Sequence, residues 1–531
     1  MKKVAFGLTL LTTAALVAAV AQSSRPIVVG SGGQPVSLAS GKVSDGNSLY
    51  VQQQIYDRLM EFKPGSSEIE PGLALSARAS KNSTSWLFTL RRGVKFQDGT
   101  PFNAEAVKYN FDYWWDDTRA NFYKTENSVW PDLFNDYKKG GGIIKNVEVI
   151  NSSQVRVTTT QPFPVDVVFA TSYFGIASPA AIQKVGEDKY GSANTLAVGT
   201  GPYSVKSWQT GDRILLEANK NYWKKGLPKN PGIIFRFIKD AAAQIAELRA
   251  GNIDMIPTGA LPYDSLATLK ADPNVKAVFR PGFNVGYLAL NQSADFAGAK
   301  NPLANQKVRL ALASAIDKKA LVSSFYGESG YTNGYLPPAA FEWSYPKNKR
   351  DYVYNPEAAK KLLAEAGFPN GFTMELWYMP VSRPYFPNAK PLAETMAKDL
   401  AAVGIKVELK SKDWGAYLAD ADAGKFQAFM LGWTGDYADP DNFYTPLVGP
   451  SPSRGVGYNN PKLYALLEKG RAEGTKAKKA EVYGQVADIL FDDIVKIPIV
   501  HSNPLLAKRA GLEGWIPGPI GGEVLDTVTI K

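Results

Sequence analysis

Two hydrophobic periods alternate along the chain. Residues 25–30 form a β-rich apolar run before a glycine-rich turn. In residues 49–60, Val51, Ile55 and Leu59 recur at helical spacing, with Asn47 or Ser48 as the expected cap. Strands are predicted at 86–90, 147–150 and 155–159, and Asn103 is placed to cap a helix reaching Trp115, whose inner face carries Val107 and Phe111. Residues 203–208 and 213–217 read as a hairpin across Gln209-Thr210-Gly211-Asp212. Next come a strand at 233–238, a helix at 241–250 stopped by Gly251 and a short strand at 254–256, the order of a βαβ unit. A strand at 283–291 is the expected crossing between lobes.

The second half repeats this logic. A long amphipathic helix is predicted over 305–326, with Val308, Leu312, Ala315 and Ile316 inward, and another begins at Asn355-Pro356 and ends at Gly367. Strand 372–379, helix 391–403 and strand 405–409 form a second βαβ unit. Asp413 caps a helix to about 423, and the apolar run 426–431 returns as a strand. Helices over 461–474 and 476–494 precede a final strand at 497–500. The pattern is that of a mixed α/β chain in at least two lobes.

Composition narrows the chemistry. The 531 residues, 45% of them hydrophobic and 21% charged, suffice for two or three domains. There is no cysteine, which excludes disulfides, thiolate nucleophiles and lipid attachment through an N-terminal cysteine. The single histidine, His501, leaves little room for His-rich metal sites or Ser-His catalysis and reads as structural. The net charge of +10 is scattered rather than blocked, the pattern of a solvated basic surface rather than a nucleic-acid footprint. Lys2-Lys3, an apolar alanine-rich core and Ala19-Val20-Ala21 read as a cleavable signal peptide over residues 1–21, so the mature chain is expected outside the cytoplasm.

Two loops follow strand-like runs: Met379-Pro380-Val381-Ser382-Arg383-Pro384-Tyr385 and Gly432-Trp433-Thr434-Gly435-Asp436-Tyr437-Ala438-Asp439-Pro440-Asp441-Asn442-Phe443. Open α/β sheets bind ligands beyond the carboxyl ends of their strands. If the two strands are parallel neighbours, Arg383 brings a fork suited to a carboxylate, and Asp436 an acceptor for an ammonium, to one edge. An extended chain advances about 3.3–3.6 Å per residue, so a clamp on both termini fits a very short peptide. Taken singly, these residues have other readings. Asp436 suits a turn cap, Arg383 a surface ion pair, and Tyr385, Trp414 and Trp433 a core. Asp436, Asp439 and Asp441 cluster like the acids of a calcium loop, but they lack its spacing and closing Glu. Asp436 with Asp439 is also the kind of acid pair a secreted glycoside hydrolase would use.

Several segments, in order over nearly the whole chain, carry a resemblance: Tyr56-Asp57-Arg58-Leu59-Met60-Glu61-Phe62, Gly199-Thr200-Gly201-Pro202-Tyr203, Pro281-Gly282-Phe283-Asn284-Val285-Gly286-Tyr287-Leu288, and the two loops. The chain resembles bacterial extracellular solute-binding proteins of family 5, which serve peptide and nickel ABC importers, and among them the periplasmic dipeptide-binding proteins. The resemblance implies a type II periplasmic-binding-protein fold, two hinged lobes with an extra domain inserted in the first. The corresponding division is 22–57, 195–282 and 502–531 for lobe I, 58–194 for the inserted domain and 283–501 for lobe II. It implies that Arg383 holds a peptide carboxylate and Asp436 its amino group, that Tyr385, Trp414 and Trp433 line the cleft, and that Asn47 contacts ligand from the first lobe. It also implies a periplasmic monomer without cofactor, metal or catalysis that delivers dipeptides to an inner-membrane permease. Within the family, longer oligopeptides, haem, metal chelates or opines are the alternative ligands. Three features depart from the dipeptide binders: no disulfide after the aspartate loop, Tyr437-Ala438 in place of a more polar pair, and an expanded region around 140–142.

Overall fold

A computed structural model describes residues 25–125, 128–380, 383–450 and 455–531. The segment read as a signal peptide, positions 381–382 of the arginine loop and positions 451–454 lie outside the described residues.

Three sheets organise the chain. The first has seven strands in the order Val275–Phe279, Leu505–Arg509, Met255–Leu261, Ile27–Ser31, Gly232–Phe237, Arg213–Ala218 and Tyr203–Gln209. Ile27–Ser31 pairs in parallel with both Gly232–Phe237 and Met255–Leu261, so the first βαβ unit closes around an inserted central strand. Its helix, Ala241–Ala250, starts on the Asp240 carboxylate and ends where Gly251 turns left-handed at φ 79°. The second sheet has six strands: Gly330–Tyr331, Lys496–Ser502, Asn284–Leu290, Ala428–Thr434, Phe372–Trp377 and Ile405–Lys410. The third has four, Ala74–Ala79, Ser85–Leu90, Gln154–Thr159 and Ile144–Asn151, covered by the helix Ala104–Trp115 on its predicted cap Asn103.

The chain leaves the seven-stranded sheet for the six-stranded one after Phe279 and returns after Ser502. The two crossings are tied together: Gly282 N donates to Asn503 Oδ1 at 2.8 Å, and Asn284 Nδ2 to the Ser502 carbonyl at 3.0 Å. One apolar core is continuous from the seven-stranded sheet (Ile27, Val29, Phe235) to the four-stranded one (Phe88, Trp114, Val157). A separate core fills the six-stranded lobe.

Three expectations need correction. The helix read over 49–60 is Gly46–Ile55, capped by Asp45, whose carboxylate accepts from Asn47 N and Ser48 N; Asn47 is therefore in the first turn. It ends at Ile55 because that carbonyl accepts Gly201 N–H at 2.8 Å, while Met60–Phe62 pairs as a strand with Ile69–Pro71. The long helix over 305–326 is two helices, Gln306–Ala315 and Lys318–Tyr326. Ile316 is extended, and the Asp317 side chain accepts from Ala320 N at 2.9 Å, starting the second helix afresh. The strand at 426–431 instead runs Ala428–Thr434, so Gly432 and Trp433 belong to the sheet, opposite Gly286 and Val285.

Candidate functional site

The strands feeding the two loops are parallel neighbours, with Leu376 opposite Ala428 and Trp377 opposite Phe429. Both loops therefore leave the same edge of the six-stranded sheet. This was the condition on which the two side chains could share a site.

Arg383 and Phe386 exchange two backbone hydrogen bonds, at 3.1 and 3.0 Å, closing a tight turn. The turn is seated on the sheet. Tyr326 Oη donates to the Tyr385 carbonyl at 2.6 Å, and Ser502 Oγ to the Pro384 carbonyl at 2.7 Å. A Cβ on Gly432 would stand 2.4 Å from the Tyr385 ring, so glycine there lets the ring lie against the strand. Tyr385 is consequently buried, while Trp414 and Trp433 are half-buried. The Arg383 guanidinium carbon lies 5.1 Å from the centre of the Trp414 ring, which itself stacks on Tyr417. A cation over an indole face is held in orientation at little desolvation cost.

The aspartate loop is built around Asn442. Its Oδ1 accepts from Asp436 N at 2.7 Å and from Trp433 Nε1 at 3.2 Å, and its Nδ2 donates to Asp436 Oδ2 at 3.3 Å. Tyr173, from the part carrying the four-stranded sheet, donates its hydroxyl to Asp436 Oδ1 at 3.3 Å. The next residue, Tyr437, is buried in that same part against Phe163, with ring centres 6.3 Å apart. Asp436 thus stands where the six-stranded lobe meets the other half of the molecule.

Asp439 and Asp441 have structural work. Asp439 caps the short turn Pro440–Phe443 and is ion-paired with half-buried Lys479. Asp441 accepts from Thr445 Oγ1 at 2.7 Å and lies 3.7 Å from Arg471. Burial pushes the Asp441 carboxyl up to about 6 despite Arg471. Neither is an open acid beside Asp436, as a hydrolase pair would need. Among the described residues no group of three His, Asp or Glu side chains is disposed to hold a metal ion. His501 is buried between the Asn284 carbonyl at Nδ1 and Asn333 Oδ1 and the Tyr335 carbonyl at Nε2, and burial lowers it to about 4.

A cavity of about 430 Å³ lies between the lobes. Asn47, Tyr50 and Gln53 face it from the first helix, and Phe283, Asn284, Pro384 and Thr434 from the six-stranded side. Asn47 is half-buried, its Oδ1 accepting from Ser31 Oγ at 3.1 Å. The cavity thus joins Asn47 to Pro384, next to Arg383, and to Thr434, two residues before Asp436. Sequence reasoning missed Asn442 and Tyr173. Asn442 stood inside the stretch already singled out, six residues past Asp436. Tyr173 lies 263 residues from Asp436 and carries no local signal.

Residues 68–455 match the model of the bacterial extracellular solute-binding proteins, family 5. The chain is 34% identical over 516 residues to haem-binding protein A of Haemophilus influenzae, covering 93% of this chain and 90% of that protein. It is 32% identical over 517 residues to the dipeptide-binding protein of Escherichia coli, covering 94% and 92%. Among solved structures, HbpA2 of Haemophilus parasuis superposes with a TM-score of 0.85 at 30% identity, covering 96% of this chain and all of that one. The dipeptide-binding protein of Pseudoalteromonas sp. SM9913 in complex with Met-Leu gives 0.75 at 26% identity, with 96% and 100% covered. No helix of the described residues is long and apolar enough to cross a membrane. With two lobes joined by paired crossings and a cavity between them, this type II periplasmic-binding-protein fold belongs to the bacterial extracellular solute-binding proteins of family 5.

Proposed function

We propose that the chain captures dipeptides between its lobes and delivers them, without turnover, to an inner-membrane ABC permease. Arg383 receives the peptide carboxylate and Asp436 its ammonium group. Trp414 and Trp433 flank the ligand, Tyr385 backs the cleft, and Asn47 closes it from the first lobe. The observation carrying this reading is that the Arg383 and Asp436 loops leave one edge of two adjacent parallel strands, beside the interlobe cavity. A charged terminus buried without its partner costs several kcal/mol, which limits ligand length. The sheet memberships support the proposed division, with residues 58–194 inserted in a lobe built from 22–57, 195–282 and 502–531, and 283–501 forming the other. We take the mature protein to be a periplasmic monomer released from a signal peptide over 1–21.

The test is calorimetry on chain stripped of its ligand, with free, amidated and N-acetylated dipeptides. Free dipeptides are expected to bind, and each capped form to lose at least about tenfold. Equal affinity for capped and free peptides overturns the two-ended clamp. A haem cargo is the second reading, favoured by the haem-binding relative at 34% identity and the HbpA2 structure at a TM-score of 0.85. The single histidine, His501, is buried and hydrogen-bonded at both ring nitrogens, so a haem would be held without histidine ligation. A saturable Soret shift on haem titration, with no heat from dipeptides, would favour it.

A further inference from the structure

Three consecutive glutamines on the helix Gly46–Ile55 face different surroundings. Gln52 donates to the Ser37 and Ala39 carbonyls. Gln54 donates to the Glu523 carbonyl at 2.9 Å and accepts from Leu525 N at 2.9 Å, fastening the C-terminal segment to the helix. Gln53 is 5% exposed as a residue, and its side chain borders cavity space instead of a carbonyl or an N–H of a neighbouring segment. An amide facing a cavity can both donate to and accept from a ligand that enters it.

Gln53 stands at a junction. Beyond the 430 Å³ interlobe cavity lies a second of about 700 Å³, and the two share the wall residues Gln53, Ser172, Ile520, Gly521 and Gly522. Both fall in the range of about 300–1,000 Å³ usual for small-molecule sites. The amide lies flat on Gly522: a Cβ there would sit 1.5 Å from Gln53 Nε2, and φ of 69° favours glycine again. The segment under it is fastened by Gln54 and by the partly buried Arg280–Glu523 ion pair. The larger cavity carries basic groups (Arg58, Lys224) and acidic groups (Glu61, Asp526) together, with apolar wall from Trp223 and Ile516. Its opposing charges select no net charge, and its apolar wall suits a bulky neutral group.

We propose that the two cavities form one ligand chamber. Gln53 reads the amide of the bound peptide at their junction, and the larger compartment receives one large neutral side chain, aromatic by preference. This deepens the dipeptide reading and rests on it. A clamp on both termini leaves the side chains as the part of the ligand free to extend away from the cleft.

The test is calorimetry on the full mature chain with Ala-Ala, Ala-Trp and Trp-Ala. At least one tryptophan peptide should bind about tenfold more tightly than Ala-Ala. Val524→Trp and Leu227→Trp, which narrow the larger compartment alone, should each remove that advantage and leave Ala-Ala within about twofold. Gln53→Leu should weaken all three by about fivefold, with the thermal midpoint kept. Equal wild-type affinity for the three peptides overturns the compartment without any variant, as does a tryptophan advantage that survives both plugs. Undiminished binding by Gln53→Leu overturns the reading role. Binding by none of the three overturns the dipeptide function itself, a distinguishable outcome that takes this proposal with it.

Discussion

Asp436 and the pair Asp439 and Asp441 lie within six residues of one another and have different surroundings. Asp439 and Asp441 face the interior of their own lobe, where Lys479 and Arg471 oppose them and their side chains are 7% and 5% exposed. Asp436 is half-buried at the border with the other half of the molecule, held by the amide of Asn442 and the phenol of Tyr173. Burial against a cation of the same lobe ties a carboxylate to its scaffold, whereas the Asn442 amide and the Tyr173 phenol orient the Asp436 carboxylate at the border between the lobes. The inner pair therefore fixes the loop from which the outer carboxylate is presented. Acidity alone did not distinguish the three.

Lys479→Ala should have the largest effect, because it leaves Asp439 buried and uncompensated. A loss of about 3–5 kcal/mol in denaturant unfolding is expected, and unchanged stability would remove the strut from this account. Asp436→Asn should do the opposite: stability within about 0.5 kcal/mol of wild type, but dipeptide affinity lower by roughly 2–5 kcal/mol. A variant that binds normally would move the ammonium site elsewhere. Asn442→Ala should fall between, costing about 1–2 kcal/mol of affinity by freeing the Asp436 carboxylate to turn; calorimetry against Asp436→Asn measures whether the two effects overlap.

The smallest effect is in pH. Burial holds Asp441 at about 6 against its ordinary 3.8, so as pH falls the folded chain takes up this proton before the unfolded one. Its contribution to stability is complete below about 3.8 and is lost as pH rises through about 6. Between pH 7 and pH 5 it should add roughly 1 kcal/mol. His501 acts in the other direction: lowered to about 4 from 6.5, it contributes stability above 6.5 that is lost as pH falls through about 4. Comparing wild type with Asp441→Asn by thermal melts at both pH values isolates the first effect, and identical profiles would refute it.

Elements whose signals are local were legible beforehand. Asn103 and its helix, the hairpin around 209–212 and both βαβ units rest on caps, turns and periodicity within stretches of at most about forty residues. The errors come from distant partners. Nothing near Ile55 reveals that its carbonyl will be taken by Gly201, which ends the helix early. Apolar spacing runs straight through Ile316, although Asp317 restarts the helix there. Arg383 and Asp436 could be picked out as chemistry because each follows a strand, but the roles of Asn442 and Tyr173 exist only once the chain has folded.

The place of Leu505–Arg509, between Val275–Phe279 and Met255–Leu261, sets an order of events during synthesis. The sheet containing Ile27–Ser31 cannot be completed until Leu505–Arg509 has been made, because Val275–Phe279 and Met255–Leu261 are joined in the sheet only through that later segment. The six-stranded sheet draws all its strands from residues 284–502 and can form as a unit while the first still waits. Pairings of such sequence separation are slow to find and leave edges exposed meanwhile. The lobe made first is the last to be finished.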